Sequence, residues 1–352
     1  MDVLNLARSD LLNTEAYHPV PSSGGMIKLD ANESPWGLPE NVRKKLIRWL
    51  ETEENLNRYP DSDNTALRTA LADFYGVEPG NVTCGVGSDQ LIDMICSVFL
   101  NPGDKVAMQK PTFGMYIVSA RLRHGTCVTV PVGYDVSAAE DLAGAAERER
   151  AKIIFICRPN NPTGSGMSDE AVRLVLERSN CVVVVDEAYG EFAGSSVIDM
   201  LRDFSNLIVL KTFSKAFGLA GARVGYAVAD SRIIGLLDIV KPPFNISSIS
   251  QMLAVWALEE SGEYKARAVR LAEARDRMYE SLGKLGWLEA ERSESNFLYI
   301  KSKYDVASIL ENGGVSSRRF AKSGDEYCVR VSIGSDEENK KVSDLLWAAN
   351  PK

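Results

Sequence analysis

A lysine in a short polar loop is the most reactive group that the sequence places directly after a buried strand. Residues 207–210 are four apolar residues in succession, and Lys215 follows them with Ser214 beside it. Arg223 lies beyond a segment of small residues. A hydroxyl and a permanent cation around an amine suit a phosphate held close to a reactive group. Ligands of α/β proteins collect where parallel strands end, so this loop predicts a site for a phosphorylated ligand.

Lys211 is the competing lysine of the same loop. It comes at the end of the apolar strand and lacks the adjacent serine of Lys215. We therefore expect Lys215 to be the reactive amine and Lys211 to have another role.

A second phosphate-binding element is predicted at residues 85–89. The strand ends in Gly85-Val86-Gly87, and Ser88 and Asp89 then begin a helix with an apolar face. Such a helix start presents free backbone N–H groups and the positive end of the helix dipole. A capped helix without a ligand explains this motif equally well when it is taken alone. With Lys215 and Arg223 it becomes the third side of a phosphate site.

One further predicted strand ends in a charged residue, and another is interrupted by one. Asp186 ends the apolar run 182–185, where an unpaired carboxylate would be costly, so it needs a partner. A Walker-B-type magnesium ligand is the alternative, but the sequence has no G-x-x-x-x-G-K-[ST] loop. Arg330 interrupts the apolar strand 328–333, which favours anion binding over an exposed edge arginine.

The spacing of apolar residues predicts the elements that position these groups. Strands and helices alternate through the first two thirds of the chain, which is typical of an α/β fold with a mostly parallel sheet. We predict an N-terminal arm over 1–27, a large domain over 28–240 and a smaller α/β domain over 241–352. Predicted helices cover 65–75, 138–148, 168–177, 247–285, 306–311 and 336–348, and predicted strands cover 105–108, 126–131, 152–157, 181–185, 296–300 and 327–333.

Composition argues against several functional classes. A formal net charge of −8 and no Lys/Arg-rich tract argue against nucleic acid as the main partner. The six cysteines are widely spaced, which fits reduced thiols in a cytoplasmic protein and argues against a metal site. No apolar run reaches the length of a membrane span, so we expect no membrane association.

Several motifs together resemble a known family. The segment 214–223, Ser-Lys-Ala-Phe-Gly-Leu-Ala-Gly-Ala-Arg, and the Asn-Pro-Thr-Gly run at 161–164 are similar to those of fold-type-I enzymes that use pyridoxal 5'-phosphate. The run 29–37, Leu-Asp-Ala-Asn-Glu-Ser-Pro-Trp-Gly, and Arg-Tyr-Pro-Asp at 58–61 resemble histidinol-phosphate aminotransferases, with Trp36 where tyrosine is usual. The resemblance implies a large domain with a mostly parallel seven-stranded sheet covered by helices, and a homodimer with a shared active site.

The resemblance also implies roles for individual residues. Lys215 would bind the cofactor covalently and transfer the proton, and Asp186 would pair with the pyridine nitrogen. The phenolic oxygen would be bound by Asn161 and Tyr189, the ring would stack on Phe113, and the phosphate would be held by Ser88, Asp89, Ser214, Arg223 and the partner subunit's Tyr59. The acidic end of the substrate would meet Tyr17, Arg318 and Arg330. The family usually shows Arg-Asp where this chain has Arg318-Arg319, so either arginine could line the site.

The function implied is amino-group exchange between L-histidinol phosphate and 2-oxoglutarate, a step of histidine biosynthesis. A transaminase for aromatic amino acids is one alternative, because substrates overlap within the family. A threonine-phosphate decarboxylase-like lyase is another, although its turn resembles Ala-Asn-Ile-Asn-Pro and differs from residues 30–33 here. A non-enzymatic regulator of the same fold would carry an additional DNA-binding domain, and we find none before Leu29.

Overall fold

The computed structural model describes residues 3–8, 12, 25–52 and 56–349. The helices are α1 (Glu40–Thr52), α2 (Thr65–Tyr75), α3 (Gly87–Phe99), α4 (Met115–Leu122), α5 (Val136–Glu149), α6 (Asp169–Arg178), α7 (Gly190–Ala193), α8 (Ser231–Val240), α9 (Ser248–Glu259), α10 (Ser261–Leu282), α11 (Val306–Asn312) and α12 (Asp336–Ala349). The strands are β1 (Ile27–Lys28), β2 (Val82–Val86), β3 (Lys105–Lys110), β4 (Thr126–Pro131), β5 (Ile153–Cys157), β6 (Val182–Asp186), β7 (Leu207–Thr212), β8 (Val224–Ala229), β9 (Glu289–Ala290), β10 (Phe297–Ser302), β11 (Val315–Ser316), β12 (Arg318–Ser323) and β13 (Glu326–Ser332). Short 3-10 helices lie at Val3–Leu6, Pro79–Asn81, Ile198–Arg202 and Ala220–Ala222.

A seven-stranded sheet forms the centre of the molecule, in the order β2-β8-β7-β6-β5-β3-β4. The strands from β7 through β6, β5 and β3 to β4 pair in parallel, whereas β8 runs antiparallel to both of its neighbours, β2 and β7. The predicted α/β fold with a mostly parallel seven-stranded sheet is confirmed.

Helices cover both faces of this sheet. Successive residues of a strand point to opposite faces, so Val183 and Val185 of β6 pack in one apolar cluster and Val184 packs in the other. The first cluster also contains side chains of α2, α5, α6 and α9, and the second contains side chains of α3, α4 and α8. A strand buried on both faces reads as a continuous apolar run, as residues 182–185 do.

A second, antiparallel sheet has the order β12-β13-β10-β9. Its core includes residues of α10, α11 and α12 and extends to Leu29 near the N-terminus. The helix α9 packs on the large sheet beside α1 and α2. The division into domains at residue 240 remains a prediction.

Some local predictions differ from the structure. The helical tract predicted over 247–285 is two helices that meet at Glu260, where φ is −99° and ψ is 20°. The following Ser261 and Gly262 both favour such a break. The sequence reading also missed the helices α1 and α8 and the strands β8 and β12. Within the described ranges, no helix combines the length and apolarity needed to cross a membrane.

Candidate active site

The predicted site residues converge because of the strand directions in the large sheet. The strands β2, β7, β6, β5 and β3 point the same way, so their carboxyl ends lie at one edge. Since β8 runs in the opposite direction, its first residue lies at that same edge and brings Arg223 there. Ser88, Ser214 and Lys215, Asn161, and Phe113 follow the ends of β2, β7, β5 and β3, and Asp186 is the last residue of β6.

Lys215 lies at the centre of this edge. Its Nζ donates a hydrogen bond to the Ala31 carbonyl oxygen at 2.8 Å and lies 5.8 Å from the centre of the Tyr189 ring. Burial, and then the positive charge of Arg330, lower the pKa of Lys215 to about 8. A substantial share of this amine is therefore neutral near physiological pH, as a nucleophile or base requires.

Lys211 has a different environment. It is only 3% exposed and forms ion pairs with Glu187 at 3.2 Å and Glu191 at 3.0 Å. Burial lowers the pKa of Lys211, but the Glu191 and Glu187 carboxylates outweigh it and hold the pKa above its ordinary value. The protonated Lys211 therefore stabilises a buried cluster of charges and is unsuited to act as a nucleophile.

Asp186 is a buried carboxylate with neutral partners. It is 2% exposed, accepts a hydrogen bond from the Tyr116 hydroxyl at 2.7 Å and accepts another from the Ala188 N–H at 3.0 Å. Burial raises the pKa of Asp186 to about 6, although both hydrogen bonds favour its charged form. A cation bound at this carboxylate would lower that pKa again.

The predicted phosphate residues form a cup around Arg223. This arginine donates to the Ser214 hydroxyl at 3.2 Å and to an Asp89 carboxylate oxygen at 3.1 Å. The cup depends on two glycines. A Cβ on Gly87 would lie 2.4 Å from the Nη2 of the Arg223 side chain, and one on Gly225 would lie 2.5 Å from the backbone nitrogen of Ser88. Ser88 is the second residue of α3, so the free N–H groups of that helix face the cup.

Asn161 and Arg330 contact each other across the site. Arg330 is 7% exposed and donates to the Asn161 Oδ1 at 2.5 Å and to the Asp30 carbonyl oxygen at 2.6 Å. Its guanidinium also lies 5.3 Å from the centre of the Phe297 ring. Because Oδ1 accepts from Arg330, the amide nitrogen of Asn161 points away from that arginine.

Tyr189 and Phe113 are the two aromatic residues predicted to line the site. The Tyr189 hydroxyl accepts a hydrogen bond from the side chain of Asn32 at 2.9 Å, and burial raises its pKa to about 12. The Phe113 ring meets the Tyr116 ring edge to face at 5.6 Å, which places it next to the residue that donates to Asp186. Asn32 and Tyr116 were not among the predicted site residues. The sequence signal for Asn32 was its place in the motif 29–37.

The structure describes two of the three residues predicted to bind the acidic end of the substrate, Arg318 and Arg330. Arg318 pairs with Arg330 across the β12–β13 ladder, so the two side chains share a face. Arg319 points to the other face and bonds Asp305 at 2.6 Å. This geometry favours Arg318 as the second arginine of the site. Tyr17 lies outside the described residues.

Tyr59 is 81% exposed and stacks on Phe244, with ring centres 4.5 Å apart. Asn245, which follows Phe244 in the chain, donates to the Gln90 side chain of α3 at 2.9 Å. The exposed aromatic pair therefore lies beside the helix that begins at the phosphate cup.

The arrangement has three chemical parts. It combines an amine of lowered pKa, an anion cup made of an arginine and a helix start, and a buried carboxylate whose hydrogen-bond partners among the described residues, Tyr116 and Ala188, are neutral. Such parts suit a phosphorylated aromatic cofactor that carries a basic nitrogen and reacts with a lysine.

Comparison with known proteins points in the same direction. A family model described as aminotransferase class I and II matches residues 24–346. The chain is 40% identical over 350 residues to a histidinol-phosphate aminotransferase of Ruminiclostridium cellulolyticum, with 96% of this chain and 98% of the relative covered. It is 39% identical over 347 residues to the histidinol-phosphate aminotransferase of Thermoanaerobacter pseudethanolicus, with 95% and 96% covered.

Among solved structures, the chain is similar to the histidinol-phosphate aminotransferase of Sinorhizobium meliloti in complex with pyridoxal-5'-phosphate. The TM-score is 0.82 at 26% sequence identity, and the match covers 92% of this chain and 91% of the other. The similarity extends over the large sheet and the smaller one together.

Proposed function

The chain belongs to the aminotransferase class I and II family, and we propose that it exchanges an amino group between L-histidinol phosphate and 2-oxoglutarate with pyridoxal 5'-phosphate as cofactor. The products are imidazole-acetol phosphate and L-glutamate, and the reaction belongs to histidine biosynthesis. The observation that carries the enzymatic class is Lys215, an amine of lowered pKa that lies at the same sheet edge as an arginine cup and a buried carboxylate.

The residues present fit this cofactor. The Arg223 cup suits its phosphate, and Asp186 suits its ring nitrogen, since a buried carboxylate with neutral partners is stabilised by a cation. When bound, pyridoxal phosphate supplies a carbonyl carbon that takes up the amino group and a ring that withdraws negative charge from the reacting carbon.

We propose that Lys215 is the catalytic base. The Lys215 Nζ would hold the cofactor at its carbonyl carbon when no substrate is bound. When substrate is bound, the same Nζ would be free to accept a proton from the substrate carbon and to return it. The lowered pKa supports both roles, because a base works best when its pKa lies near the working pH.

Asp186, Asn161 and Tyr189 would bind the ring nitrogen and the phenolic oxygen of the cofactor near this lysine. Asp186 holds the ring nitrogen protonated, which keeps the ring able to withdraw charge. Asn161 can donate its amide N–H groups to the phenolic oxygen, because its Oδ1 is occupied by Arg330. Tyr189 keeps its proton at neutral pH and is therefore a second donor. Phe113 would stack on the cofactor ring and help to exclude water.

We propose that Ser88, Asp89, Ser214 and Arg223 hold the cofactor phosphate. Arg330 and Arg318 would bind the acidic end of each substrate, with Tyr17 beside them. One pair of arginines can serve both half-reactions, because 2-oxoglutarate presents a carboxylate and histidinol phosphate presents a phosphate, and both anions fit the planar guanidinium.

We further propose that the chain forms a homodimer in which the partner subunit's Tyr59 reaches the phosphate. The support is the exposed Tyr59–Phe244 stack beside α3, together with an exposed Ile239 on the neighbouring helix. Light scattering tests the mass, and a Tyr59→Phe variant should keep the dimer mass while its cofactor affinity falls. A monomer with full cofactor affinity would contradict the proposal.

A cytoplasmic location is proposed as well. All six cysteines are free thiols, a state that a reducing compartment maintains. Cell fractionation with an antibody against the chain tests this directly.

Substrate comparison tests the proposed function. The loaded protein, with 2-oxoglutarate as acceptor, should give a higher kcat/KM with L-histidinol phosphate than with L-phenylalanine. L-histidinol is the matched control, and loss of the phosphate should lower kcat/KM by roughly 10- to 150-fold, as expected for a charged hydrogen bond. Faster turnover of phenylalanine would favour an aromatic transaminase, and release of CO2 from L-threonine phosphate would favour a lyase. The Lys215→Ala variant should turn over none of them.

A further inference from the structure

Asn32 makes four hydrogen bonds in the interior of the site, although it is distant in sequence from every partner. It is 1% exposed, and its φ of +55° is in the left-handed region. Its side-chain nitrogen donates to the Tyr189 hydroxyl at 2.9 Å, and its Oδ1 accepts from the Ser332 hydroxyl at 3.0 Å. Its backbone N–H donates to the same Ser332 hydroxyl at 2.9 Å, and its carbonyl oxygen accepts from Asn296 at 3.1 Å.

These contacts determine which way the Asn32 amide faces. The Ser332 hydroxyl accepts from the Asn32 backbone and therefore uses its own proton toward Oδ1. With the oxygen of the amide facing Ser332, the nitrogen must face Tyr189. The reversed amide would leave the Ser332 proton without this acceptor, which is costly for a buried group.

The direction of the Asn32 bond determines what the Tyr189 phenol can do. A hydroxyl that accepts from Asn32 keeps its own proton for a different partner. Burial favours the protonated phenol, so this proton is present at neutral pH. The Lys215 amine lies over the same ring and donates to the carbonyl of Ala31, the residue before Asn32. The phenol is therefore held as a donor whose proton is not used by Asn32, on a ring that the reactive lysine overlies.

We propose that Asn32 is a positioning residue that holds Tyr189 as a hydrogen-bond donor toward the bound cofactor, and that Ser332 sets the orientation of Asn32. This inference rests on the proposed function. Ser332 and Arg330 lie two residues apart on β13 and face the same side, so the strand that carries the substrate-binding arginine also sets the Tyr189 hydroxyl.

A simpler role for Asn32 is tolerance of the left-handed backbone, since asparagine adopts that conformation more readily than most residues. Substitutions can separate the two roles. Asn32→Gly keeps the backbone conformation accessible and removes the donor. Asn32→Asp keeps the size and replaces the donor by an acceptor, which would draw the Tyr189 proton away from the cofactor side.

The experiment compares Asn32→Asp, Asn32→Gly, Tyr189→Phe and the two double variants, each loaded with pyridoxal phosphate. The readout is the pH midpoint of the visible absorption of the bound cofactor. We expect each single variant to move the midpoint in the same direction, with Tyr189→Phe shifting it by about one unit, as loss of a charged hydrogen bond implies. In the Tyr189→Phe background, Asn32→Gly should add almost nothing, whereas Asn32→Asp should keep the part of its shift that its added charge causes by itself.

Asn296→Ala is the matched control. It removes a contact to the Asn32 carbonyl oxygen and leaves the amide side chain in place, so the midpoint should stay at the wild-type value. The charged and titratable groups around Tyr189, namely Arg330, Cys157, Asp186 and Lys215, are unchanged in Asn32→Gly, Tyr189→Phe and Asn296→Ala, whereas Asn32→Asp adds a carboxyl group.

Two results would overturn the inference. One is a wild-type midpoint in both Asn32 variants while Tyr189→Phe shifts it. The other is an Asn32→Gly shift of the same size with and without the Tyr189 hydroxyl. Thermal unfolding of the cofactor-free variants gives a second readout, in which the losses for Asn32→Gly and Tyr189→Phe should be less than additive. If the wild-type protein forms no visible band, the proposed function fails, and the cofactor-free unfolding data still test the Asn32–Tyr189 coupling.

Discussion

Replacing Asp186 by asparagine should stabilise the cofactor-free protein and inactivate the loaded enzyme. The asparagine side chain has the same shape, so it can accept from the Ala188 N–H and donate to the Tyr116 hydroxyl in place of the present bonds. What it loses is the negative charge, which is unfavourable in the empty site and necessary when the cofactor is bound.

The size of the effect follows from the pKa of Asp186. Burial raises this pKa from 3.8 to about 6, so between those two values the folded chain holds a proton that the unfolded chain has released. The free energy of unfolding therefore falls as the pH rises through this window. The full penalty, present above pH 6, is at most about 3 kcal/mol at 1.36 kcal/mol per unit. With about 2.1 cal/mol/K of unfolding entropy per residue, that corresponds to a rise in Tm of about 4 °C.

Scanning calorimetry of the two cofactor-free proteins at pH 8 and pH 4 measures this difference. The variant should have the higher Tm at pH 8, and the difference should shrink toward zero at pH 4, where the wild-type carboxyl is also protonated. Adding pyridoxal phosphate should raise the wild-type Tm by more than that of the variant, because only the wild type then gains a cation for its carboxylate. Aminotransferase activity of the variant should be strongly reduced.

The reasoning would be refuted by a cofactor-free variant that is no more stable than the wild type at pH 8. A stabilisation that persists unchanged at pH 4 would also refute it, since the gain would then have nothing to do with charge.

Three further predictions follow from the same site. Lys211→Met should lower the free energy of unfolding by up to about 3 kcal/mol, because the buried Glu187 loses its nearer cation and keeps only Arg158 at 3.5 Å. Its visible cofactor band should survive, whereas Lys215→Ala should unfold near the wild type and lose that band. Denaturant titration and absorption spectra measure the two effects. Gly225→Ala should weaken binding of inorganic phosphate and pyridoxal phosphate in equilibrium titrations, because its Cβ would lie 2.5 Å from the Gly87 carbonyl carbon and the Ser88 nitrogen. The control Gly221→Ala, whose Cβ would have no heavy atom within 4 Å, should bind both ligands normally. Equal binding by the two variants would contradict the assignment of the Arg223 cup as the phosphate site. The rate at which the cofactor-free protein binds pyridoxal phosphate, followed by stopped-flow absorbance, should rise with pH and level off above about pH 8, where Lys215 becomes neutral. Arg330→Gln should move this pH profile to higher pH, because Arg330 lowers the pKa of Lys215. A rate that still increases at pH 10 would show that Lys215 has the pKa of an ordinary lysine.

Local sequence patterns were sufficient for part of the fold. The helix Thr65–Tyr75 and the strand Thr126–Pro131 have the predicted bounds, because apolar spacing and the flanking Gly76 are signals within one element. The strand β8 carried no comparable sign of its direction. Its antiparallel course depends on pairing with β2 and β7, which lie elsewhere in the chain.

In the site, too, some residues could be predicted from local sequence and others could not. Lys215, Asp186 and Arg223 could be found because each follows or precedes an apolar strand and matches a family motif. Asn32 and Tyr116 could not be assigned from local patterns, since their partners Tyr189 and Asp186 lie 157 and 70 residues away. The choice between Arg318 and Arg319 likewise needed the β12–β13 register, which decides the face of each side chain.

The most direct test of the proposed function is a titration of the loaded protein with L-histidinol phosphate, without 2-oxoglutarate, followed by visible absorption. The band of the lysine-bound cofactor should be lost in a saturable manner, imidazole-acetol phosphate should appear in equal amount, and 2-oxoglutarate should restore the band. A band that is present and indifferent to histidinol phosphate would contradict the proposed substrate. The absence of any band after addition of pyridoxal phosphate would contradict the central role of Lys215.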